Sequence, residues 1–276
     1  MHFSVLMSLY IREKAENLHH CLQSLYNQTL HADEIVLVYD GPISEDLENV
    51  VNHWMTYLPI NIVKLKENVG LGQALNCGLA QCKHDIVARM DTDDICHSDR
   101  FMKQIDFLSN NKDVAILGSY IEEFDASPDN IISKRVVPIN HQDIEKQIKK
   151  QNPFNHMSVV FSKSKVIQVG GYQHHYLMED YNLWLRLLTS NVKAANLPSV
   201  LVYVRAGKDM INRRSGWRYI SSEYHLARLK RSLGYQNIIS SYAYFVLRSA
   251  PRLFPLFLLK MTYHLIRKKN HKETIN

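Results

Sequence analysis

The chain has 276 residues, of which 46% are hydrophobic and 22% are charged, so it is long enough to bury a sizeable core. With only 10 glycines and 8 prolines, it is not a disordered, collagen-like or low-complexity protein. The formal net charge of +6 is unevenly distributed: residues 205–276 carry 15 basic and 3 acidic side chains, whereas the first 204 residues are mildly acidic. A basic C-terminal part favours partners that carry phosphate, either nucleic acid or anionic lipid.

The first third of the chain alternates continuous apolar runs with amphipathic segments. Continuous runs predict strands that are covered on both faces, as in a parallel sheet, and apolar spacings of three and four predict helices. The predicted β-α-β-α-β-α-β order covers Phe3–Tyr10, Arg12–Gln28, Glu34–Tyr39, Glu45–Tyr57, Asn61–Leu65, Gly72–Gln81 and Asp85–Met90. This order is typical of an open α/β sheet.

The rest of the chain is less regular. We predict helices over Arg100–Leu108, His141–Lys150 and Tyr181–Thr189, and strands over Val114–Tyr120 and Val200–Val204. The turn-rich stretch 122–138 has room for an antiparallel excursion. Beyond Arg214 the pattern is helical, and composition turns basic and aromatic near Ser215, which we take as a soft domain boundary.

Three carboxylates, Asp91, Asp93 and Asp94, follow the fourth predicted strand. Ligands of open α/β sheets bind outside the carboxyl ends of the strands. Carboxylates this close repel one another unless a cation neutralises them, and a divalent ion can also bridge a substrate diphosphate. The alternative is a solvated acidic turn before the next helix. An EF-hand loop is excluded because its sixth position requires glycine and here it is Cys96.

Two further motifs follow the second and the third predicted strand. Asp40 could accept hydrogen bonds from a base or a ribose, although an Asp-Gly turn is a common alternative. The glycines between Asn68 and Gly78 could let a ligand approach the backbone, although the start of a helix and tight packing explain them as well. No GK[ST] follows, so this is not a Walker loop.

Adjacent carboxylates and paired arginines occur later in the chain. Glu179 and Asp180 open a predicted amphipathic helix, where Asp180 could be an N-cap or a general base acting on a hydroxyl group. Arg205, Arg213 and Arg214 follow the last predicted strand, and paired guanidinium groups suit diphosphate oxygens. A solvated or membrane-facing basic run is the alternative.

Together and in this order, these segments resemble the inverting glycosyltransferases of family 2, which have the GT-A fold. The matching segments are SVLMSLY, EIVLVYDGP, ENVGLGQALNCGL, ARMDTDDICHSDRF, NPFNHMSVVF, GGYQHHYLMEDYNLWLRL and VYVRAGKDMINRRSG. The resemblance covers residues 2–217, and it extends to the small bacterial enzymes that build O-antigen and capsule repeat units. It implies an α/β fold with a mostly parallel central sheet, flanking helices and a C-terminal helical basic and aromatic tail.

The resemblance implies donor-site roles for four acids. Asp40 would contact the nucleotide, although many relatives carry two acids where this chain has Tyr39 and Asp40. Asp91 would contact the ribose or the sugar. Asp93 would ligate Mn²⁺ or Mg²⁺, with Asp94 as a supporting residue.

The resemblance also implies catalytic residues. Asp180, beside Glu179, would be the catalytic base, and Arg213 and Arg214 match the segment that closes over the diphosphate. Long processive relatives carry a QxxRW motif that this chain lacks, which favours single sugar additions.

The implied activity is a metal-dependent, inverting transfer of a hexose or N-acetylhexosamine from a UDP-sugar to a polyprenyl-diphosphate-linked saccharide. An α-linked donor would give a β-linked product. Residues 1–215 would form the GT-A domain and residues 216–276 a helical extension. A non-catalytic scaffold of a polysaccharide assembly complex is the main alternative. A nucleic-acid binder lacks supporting motifs, and a nucleotidyltransferase should have a glycine-rich basic loop after its first strand.

The C-terminal part predicts the location of the enzyme. Its mixture of aromatic, aliphatic and basic residues over Tyr242–Lys269 suits the surface of an anionic bilayer, although an ordinary helical layer is the alternative. We expect no secretory leader and no spanning helix, because no cationic N-terminal segment and no run of 18 uncharged apolar residues occur. The four cysteines form no CxxC pair. A cytoplasmic enzyme on the inner face of the cytoplasmic membrane is therefore expected.

Overall fold

A mixed β-sheet runs through the structure, a computed structural model that describes residues 1–125, 127–206 and 216–253. Its nine strands within these ranges are β1 (Phe3–Leu9), β2 (Glu34–Tyr39), β3 (Ile60–Lys64), β4 (Ile86–Arg89), β5 (Ile95–Cys96), β6 (Val114–Phe124), β7 (Ile131–Arg135), β8 (Val160–Ser162) and β9 (Lys193–Arg205). The strands lie in the order β3-β2-β1-β4-β8-β6-β9-β5, and β7 pairs with β6.

Helices cover both faces of this sheet. They are α1 (Ala15–Tyr26), α2 (Glu45–Trp54), α3 (Leu71–Gln81), α4 (Arg100–Asn110), α5 (His141–Ile148), α6 (Lys163–Gln168), α7 (Glu179–Leu188), α8 (Gly216–Ser232) and α9 (Ile238–Ser249). Short 3₁₀ turns occur at His156–Ser158 and Ala250–Leu253.

The strand directions bring the predicted site residues to one edge of the sheet. β1 pairs in parallel with both β2 and β4, and β2 pairs in parallel with β3. The carboxyl ends of β2 and β4, which precede Asp40 and Asp91, therefore lie on the same edge. β8 runs antiparallel between β4 and β6, and β6 then pairs in parallel with β9. The predicted α/β fold with a mostly parallel central sheet is confirmed.

Alternation along the central strands creates two apolar layers. Leu6 of β1 faces a core formed with α3, α5, α7 and α8, in which Trp184 is fully buried. Val5 and Met7, the chain neighbours of Leu6, face a second core formed with α1, α2 and α4. Both faces of the strand are covered, which explains why the apolar run is continuous rather than alternating.

The C-terminal helices pack on the first of these cores. Tyr219 and Leu226 of α8 are buried in the same cluster as Trp184 of α7. Gly234, with φ of +76°, adopts the left-handed conformation between α8 and α9. In the described residues, no helix has the length and hydropathy needed to cross a bilayer. The division of the chain at residue 215 stays a prediction.

Some predicted elements differ from the observed ones. β5, β8 and α6 were not predicted, because each is only two to six residues long and has no readable period. β6 and β9 continue past the predicted ends. The end of β6 pairs with β7 to form the antiparallel excursion expected within 122–138. The helical prediction beyond Arg214 is confirmed over α8 and α9, and residues 254–276 lie outside the described ranges.

Candidate active site

Asp91 directly follows β4 and forms an ion pair with a buried arginine. The Asp91 Oδ1 atom accepts a hydrogen bond of 2.5 Å from Nη2 of Arg89, whose side chain is 1% exposed. Burial raises the pKa of Asp91, but the Arg89 guanidinium, together with His156 and Arg100, holds this pKa below its ordinary value. Asp91 is therefore ionised and fixed in position.

Asp93 and Asp94 have the opposite electrostatic character. Burial, with Asp91 and Glu13 nearby, raises the pKa of Asp93 to about 7. Burial and Asp93 also raise the pKa of Asp94 well above its usual value. Asp94 Oδ1 accepts a 3.0 Å hydrogen bond from the backbone N–H of Arg205, whereas Oδ2 has no hydrogen-bond partner in the described residues. The cluster thus holds more negative charge than its surroundings neutralise.

The donor set at this cluster fits the divalent cation that the resemblance implies. In the part of the chain that the structure describes, no three His, Cys, Asp or Glu side chains converge into a closed metal cage. Mg²⁺ commonly uses one or two carboxylates and takes further oxygens from substrate phosphates and water. Asp93 and the Oδ2 atom of Asp94 supply such carboxylate oxygens, and a cation would offset the repulsion that raises both pKa values.

Asp40 holds the loop that precedes α3. Its carboxylate accepts hydrogen bonds from the backbone N–H of Val69 at 2.7 Å, the N–H of Gly70 at 3.2 Å and Nδ2 of Asn68 at 3.0 Å. Gly41 is required beside it, because a Cβ atom there would lie 2.8 Å from the Asn68 nitrogen. Asp40 is 4% exposed and links the carboxyl end of β2 to the glycine-containing segment.

Asp180 lies in the first turn of α7 but does not cap it. The N-cap is Met178, and no side chain caps this helix end, so interpretation of Asp180 as an N-cap is wrong. Asp180 Oδ2 instead accepts a 2.6 Å hydrogen bond from Nδ2 of Asn152. Burial raises the pKa of the neighbouring Glu179 to about 7, and the Asp180 carboxylate adds to this. Leu177, with φ of +57°, shows the backbone strain that often accompanies functional loops.

A histidine and a tyrosine connect the two acidic regions. His156 Nε2 lies 2.9 Å from the hydroxyl of Tyr172, and both rings are within electrostatic reach of Asp91 and Asp180. Burial lowers the pKa of His156 to about 4, and Arg89 acts in the same direction, so the imidazole is neutral. Asp91 and Asp180 therefore both act electrostatically on the same buried pair of rings.

The loop that carries Tyr172 is fixed from two helices. Asn76 of α3 both donates to and accepts from the Tyr172 backbone, at 2.7 and 2.8 Å. Arg186 of α7 donates to the carbonyls of Val169 and Gly171. Gly171 has φ of +62°, and a Cβ atom there would lie 2.6 Å from Oδ1 of Asn76. Gly171 is thus needed for its close approach to Asn76, whereas Gly170 is favoured by its φ of +85°.

Several residues of the site were not predicted as functional. Arg89 and His156 occur in matched segments, yet nothing in their local pattern indicates a contact. Glu13 follows β1 and accepts a 3.1 Å hydrogen bond from the Thr92 hydroxyl. The predicted diphosphate residues Arg213 and Arg214 lie outside the described residues.

Solved structures share this architecture. TarS residues 1–349 from S. aureus, in complex with UDP-GlcNAc, aligns with a TM-score of 0.68 and 16% identity over 90% of this chain and 72% of that chain. The mannosyltransferase PcManGT from Pyrobaculum calidifontis, in complex with GDP-Man and Mn²⁺, aligns with a TM-score of 0.62 and 15% identity over 96% and 79%. At these identities the likeness shows the fold, which is GT-A.

Sequence comparisons add closer relatives. A model described as Glycosyl transferase family 2 matches residues 4–170. The amylovoran biosynthesis glycosyltransferase AmsE of Erwinia amylovora is 51% identical over 266 residues, covering 96% of this chain and 99% of that protein. The UDP-Gal:alpha-D-GlcNAc-diphosphoundecaprenol beta-1,3-galactosyltransferase of Escherichia coli is 42% identical over 242 residues, covering 86% and 87%. The matched regions include Asp40, Asp91 and Asp93.

Proposed function

Because the chain belongs to glycosyl transferase family 2, we propose that it transfers one sugar, with inversion, from a UDP-sugar to a polyprenyl-diphosphate-linked saccharide. Galactose is the first candidate, since a relative at 42% identity is named for UDP-Gal and for a diphosphoundecaprenol acceptor. The product would serve surface polysaccharide or O-antigen synthesis, the class of process in which AmsE is named.

The observation that carries this proposal is the placement of Asp180 relative to the acidic cluster. Asp91 and Asp180 both act electrostatically on the buried His156–Tyr172 pair. An inverting reaction needs two separate groups of this kind, because the acceptor hydroxyl attacks from the side opposite the departing diphosphate. We assign the donor to the Asp91 side and the acceptor to the Asp180 side.

The proposed reaction is a direct displacement at the anomeric carbon. Asp180 takes the proton of the acceptor hydroxyl as the new C–O bond forms and the bond to the diphosphate breaks. Asp91, held by Arg89, would bind a ribose or sugar hydroxyl. Asp40 keeps the 68–70 backbone in place beside the nucleotide. Arg213 and Arg214 are proposed to bind the diphosphate.

Asp93, with Asp94 beside it, is proposed to hold Mn²⁺ or Mg²⁺. When bound, such a cation would offset the negative charge that develops on the departing UDP. Glu179 is proposed to shape the pocket beside Gly72, because its Cγ atom lies 3.3 Å from the place that a Cβ atom on Gly72 would occupy.

A membrane partner is proposed from the unusual orientation of α9. Its apolar residues face outward on one side of the helix, with exposures of 54–81%: Ile238, Ile239, Tyr242, Val246 and Leu247. Its protein-facing side is polar, since Ser241 donates to Ala227 and Arg248 pairs with Glu223. We propose that this apolar face contacts the inner surface of the cytoplasmic membrane, where a lipid-linked acceptor would reside.

The decisive experiment measures acceptor-dependent UDP release by the full-length protein. UDP-Gal, UDP-Glc, UDP-GlcNAc and UDP-GalNAc would each be supplied with Mn²⁺ or Mg²⁺ and a synthetic lipid-diphosphate-linked GlcNAc. We expect one donor to exceed the others and NMR of its product to show a β-linkage. An Asp180→Asn variant is the matched control. Absence of acceptor-dependent release with every donor would instead support the non-catalytic scaffold.

A further inference from the structure

Asn152 directly contacts the carboxylate of Asp180. It lies in the loop between α5 and the 3₁₀ turn, and its Nδ2 donates a 2.6 Å hydrogen bond to Asp180 Oδ2. Within the described ranges no donor contacts the other oxygen, Oδ1. One carboxylate oxygen is thus fixed, and the second is left to accept a proton.

The amide of Asn152 is itself held in a single orientation. Its Oδ1 accepts a 3.1 Å hydrogen bond from the backbone N–H of Phe154, so the nitrogen must face Asp180. Its backbone carbonyl accepts a 3.1 Å hydrogen bond from Nη2 of Arg135 on β7. An amide group donates only through its nitrogen, so Asn152 is the donor in this contact and Asp180 Oδ2 is the acceptor.

The loop around Asn152 is fastened by side chains from distant elements. The carbonyl of Lys149 accepts from Lys230 at 3.2 Å and from Gln236 at 2.6 Å. The Pro153 carbonyl accepts from Asn196 of β9 at 3.2 Å. Side chains of α8, of the connection between α8 and α9, of β7 and of β9 therefore converge on a loop of a few residues, more than a passive connection requires.

We propose that Asn152 is a positioning residue that orients Asp180 so that Oδ1 faces the acceptor hydroxyl. This role rests on the proposed function. Asn152 does not touch the reacting atoms, and its effect is exerted through the hydrogen bond to Oδ2. Loss of that bond lets the Asp180 side chain rotate, and misplacement of a catalytic group by about 1 Å can lower the rate by about 100-fold.

The test compares Asn152→Ala with Gln151→Ala, an exposed neighbour in the same loop. Asn152→Ala should lower kcat by about 10- to 100-fold with little change in the KM for the UDP-sugar, whereas Gln151→Ala should match wild type. In an Asp180→Asn background, Asn152→Ala should have almost no further effect, because its role depends on the carboxylate.

Asn152→Asp supplies a pH readout that a merely structural role would not move. This variant keeps an oxygen for the Phe154 N–H but places two carboxylates together, and such a pair retains a shared proton. Its kcat should rise with pH over the range in which that proton leaves, a rise that wild type and Asn152→Ala lack.

Parallel measurement of wild type separates the possible failures. An inactive wild type contradicts the proposed function and this role with it. If wild type is active, two results overturn the positioning role alone. One is a fully active Asn152→Ala variant. The other is an equal loss of kcat from Asn152→Ala in the wild-type and the Asp180→Asn backgrounds.

Discussion

Glu179 and Asp180 are adjacent in sequence but have different surroundings. Glu179 packs against α3, where a Cβ atom on Gly72 would lie 3.3 Å from its Cγ, and burial raises its pKa to about 7. Asp180 accepts a hydrogen bond from Asn152 and acts electrostatically on His156. Two adjacent carboxylates thus differ enough to have separate roles.

Substitution of Asp180 by Asn should abolish most activity without unfolding the protein. Asn cannot accept the acceptor proton, so kcat should fall by about 10²–10⁴-fold or more. Helix α7 should persist because Met178, not Asp180, is its N-cap. UDP-sugar binding by calorimetry and kcat by UDP release would check this. Near-normal turnover by Asp180→Asn, with Glu179→Gln inactive instead, would show that Glu179 is the base.

Substitution of Asp93 by Asn should weaken metal binding in the presence of UDP. The variant removes a carboxylate oxygen from the proposed metal site, and we expect the Mn²⁺ affinity to fall by about 10- to 100-fold or more, as metal-site changes commonly cause. Electron paramagnetic resonance of free Mn²⁺ would measure this. Asp106→Asn, on the exposed side of α4, is the control. Full turnover in excess EDTA would contradict the metal requirement itself.

At the scale of elements, local pattern predicts the parallel block well. The runs in β1 and β2 are buried along their whole length apart from Ser8, so their composition alone indicates strands. β8 has three residues and depends on β4 and β6 for its hydrogen bonds, which no local period reveals. The start of β9 at Lys193 likewise depends on pairing with β6.

The same distinction applies to the site. Asp93 and Asp180 can be predicted because carboxylates at a strand end and beside a helix form readable motifs. Arg89 and Asn152 act through contacts with side chains whose orientation depends on tertiary packing. The sequence alone leaves an N-cap role for Asp180 open, and the backbone geometry of Met178 excludes it.

Buried charged side chains join α9 to α8 and α8 to α7. Arg248 donates through two nitrogens to the Glu223 carboxylate, at 2.7 and 2.8 Å. Lys230 is 2% exposed and lies over the ring of Tyr181 in α7. Burial, aided by Arg248, lowers the pKa of Lys230 to about 7. This attachment places charged groups directly behind the helix that carries Asp180.

Replacement of Lys230 by Met should change the pH dependence of stability. The folded-state pKa of Lys230 is about 7, against 10.5 for an ordinary lysine, so between these values the unfolded chain binds more protons. The free energy of unfolding of the wild type therefore increases as the pH rises through this window and decreases as the pH falls through it. Lys230→Met should be the more stable protein near pH 6.5, and its advantage should shrink toward pH 10.

Thermal unfolding at pH 6.5 and pH 9.5 would measure this difference. The Lys149 carbonyl keeps its hydrogen bond from Gln236 in the variant, so little is lost there. Lys146→Met, in which a largely exposed α5 lysine is replaced, is the control. A stability difference between wild type and Lys230→Met that is equal at both pH values would contradict the prediction.

For the whole molecule, charge and apolar surface are concentrated in the C-terminal part. The excess of basic residues after position 204 lies on the same part of the chain as the outward apolar face of α9. Arg228 and Arg231 of α8 line a shallow depression beside Tyr242, so cations border the apolar side chains. Anionic lipid would match both features.

Acidic substitutions on the α9 face should release the protein from anionic vesicles. We expect full-length protein to co-sediment with phosphatidylglycerol liposomes at low salt. The double variant Ile239→Asp and Leu247→Asp should no longer co-sediment, while it keeps its turnover of a soluble acceptor. Ile167→Asp, an equally apolar exposed position on α6, should bind like wild type. A wild-type protein that ignores these liposomes would contradict membrane docking. A concentration-dependent dimer lost in the α9 variant would indicate a second copy instead.

The parallel ladder between β6 and β9 has a consequence for biosynthesis. Its paired residues, such as Val114 with Lys193 and Phe124 with Arg205, are about 80 residues apart in the sequence, so closing it is slow. The β1–β4 block and its helices emerge from the ribosome earlier and can pair without β9. During translation, β6 therefore waits with one edge unpaired until residues 193–205 leave the exit tunnel. A chain stalled before that point would present the open edge of a half-made sheet to chaperones and to other nascent copies.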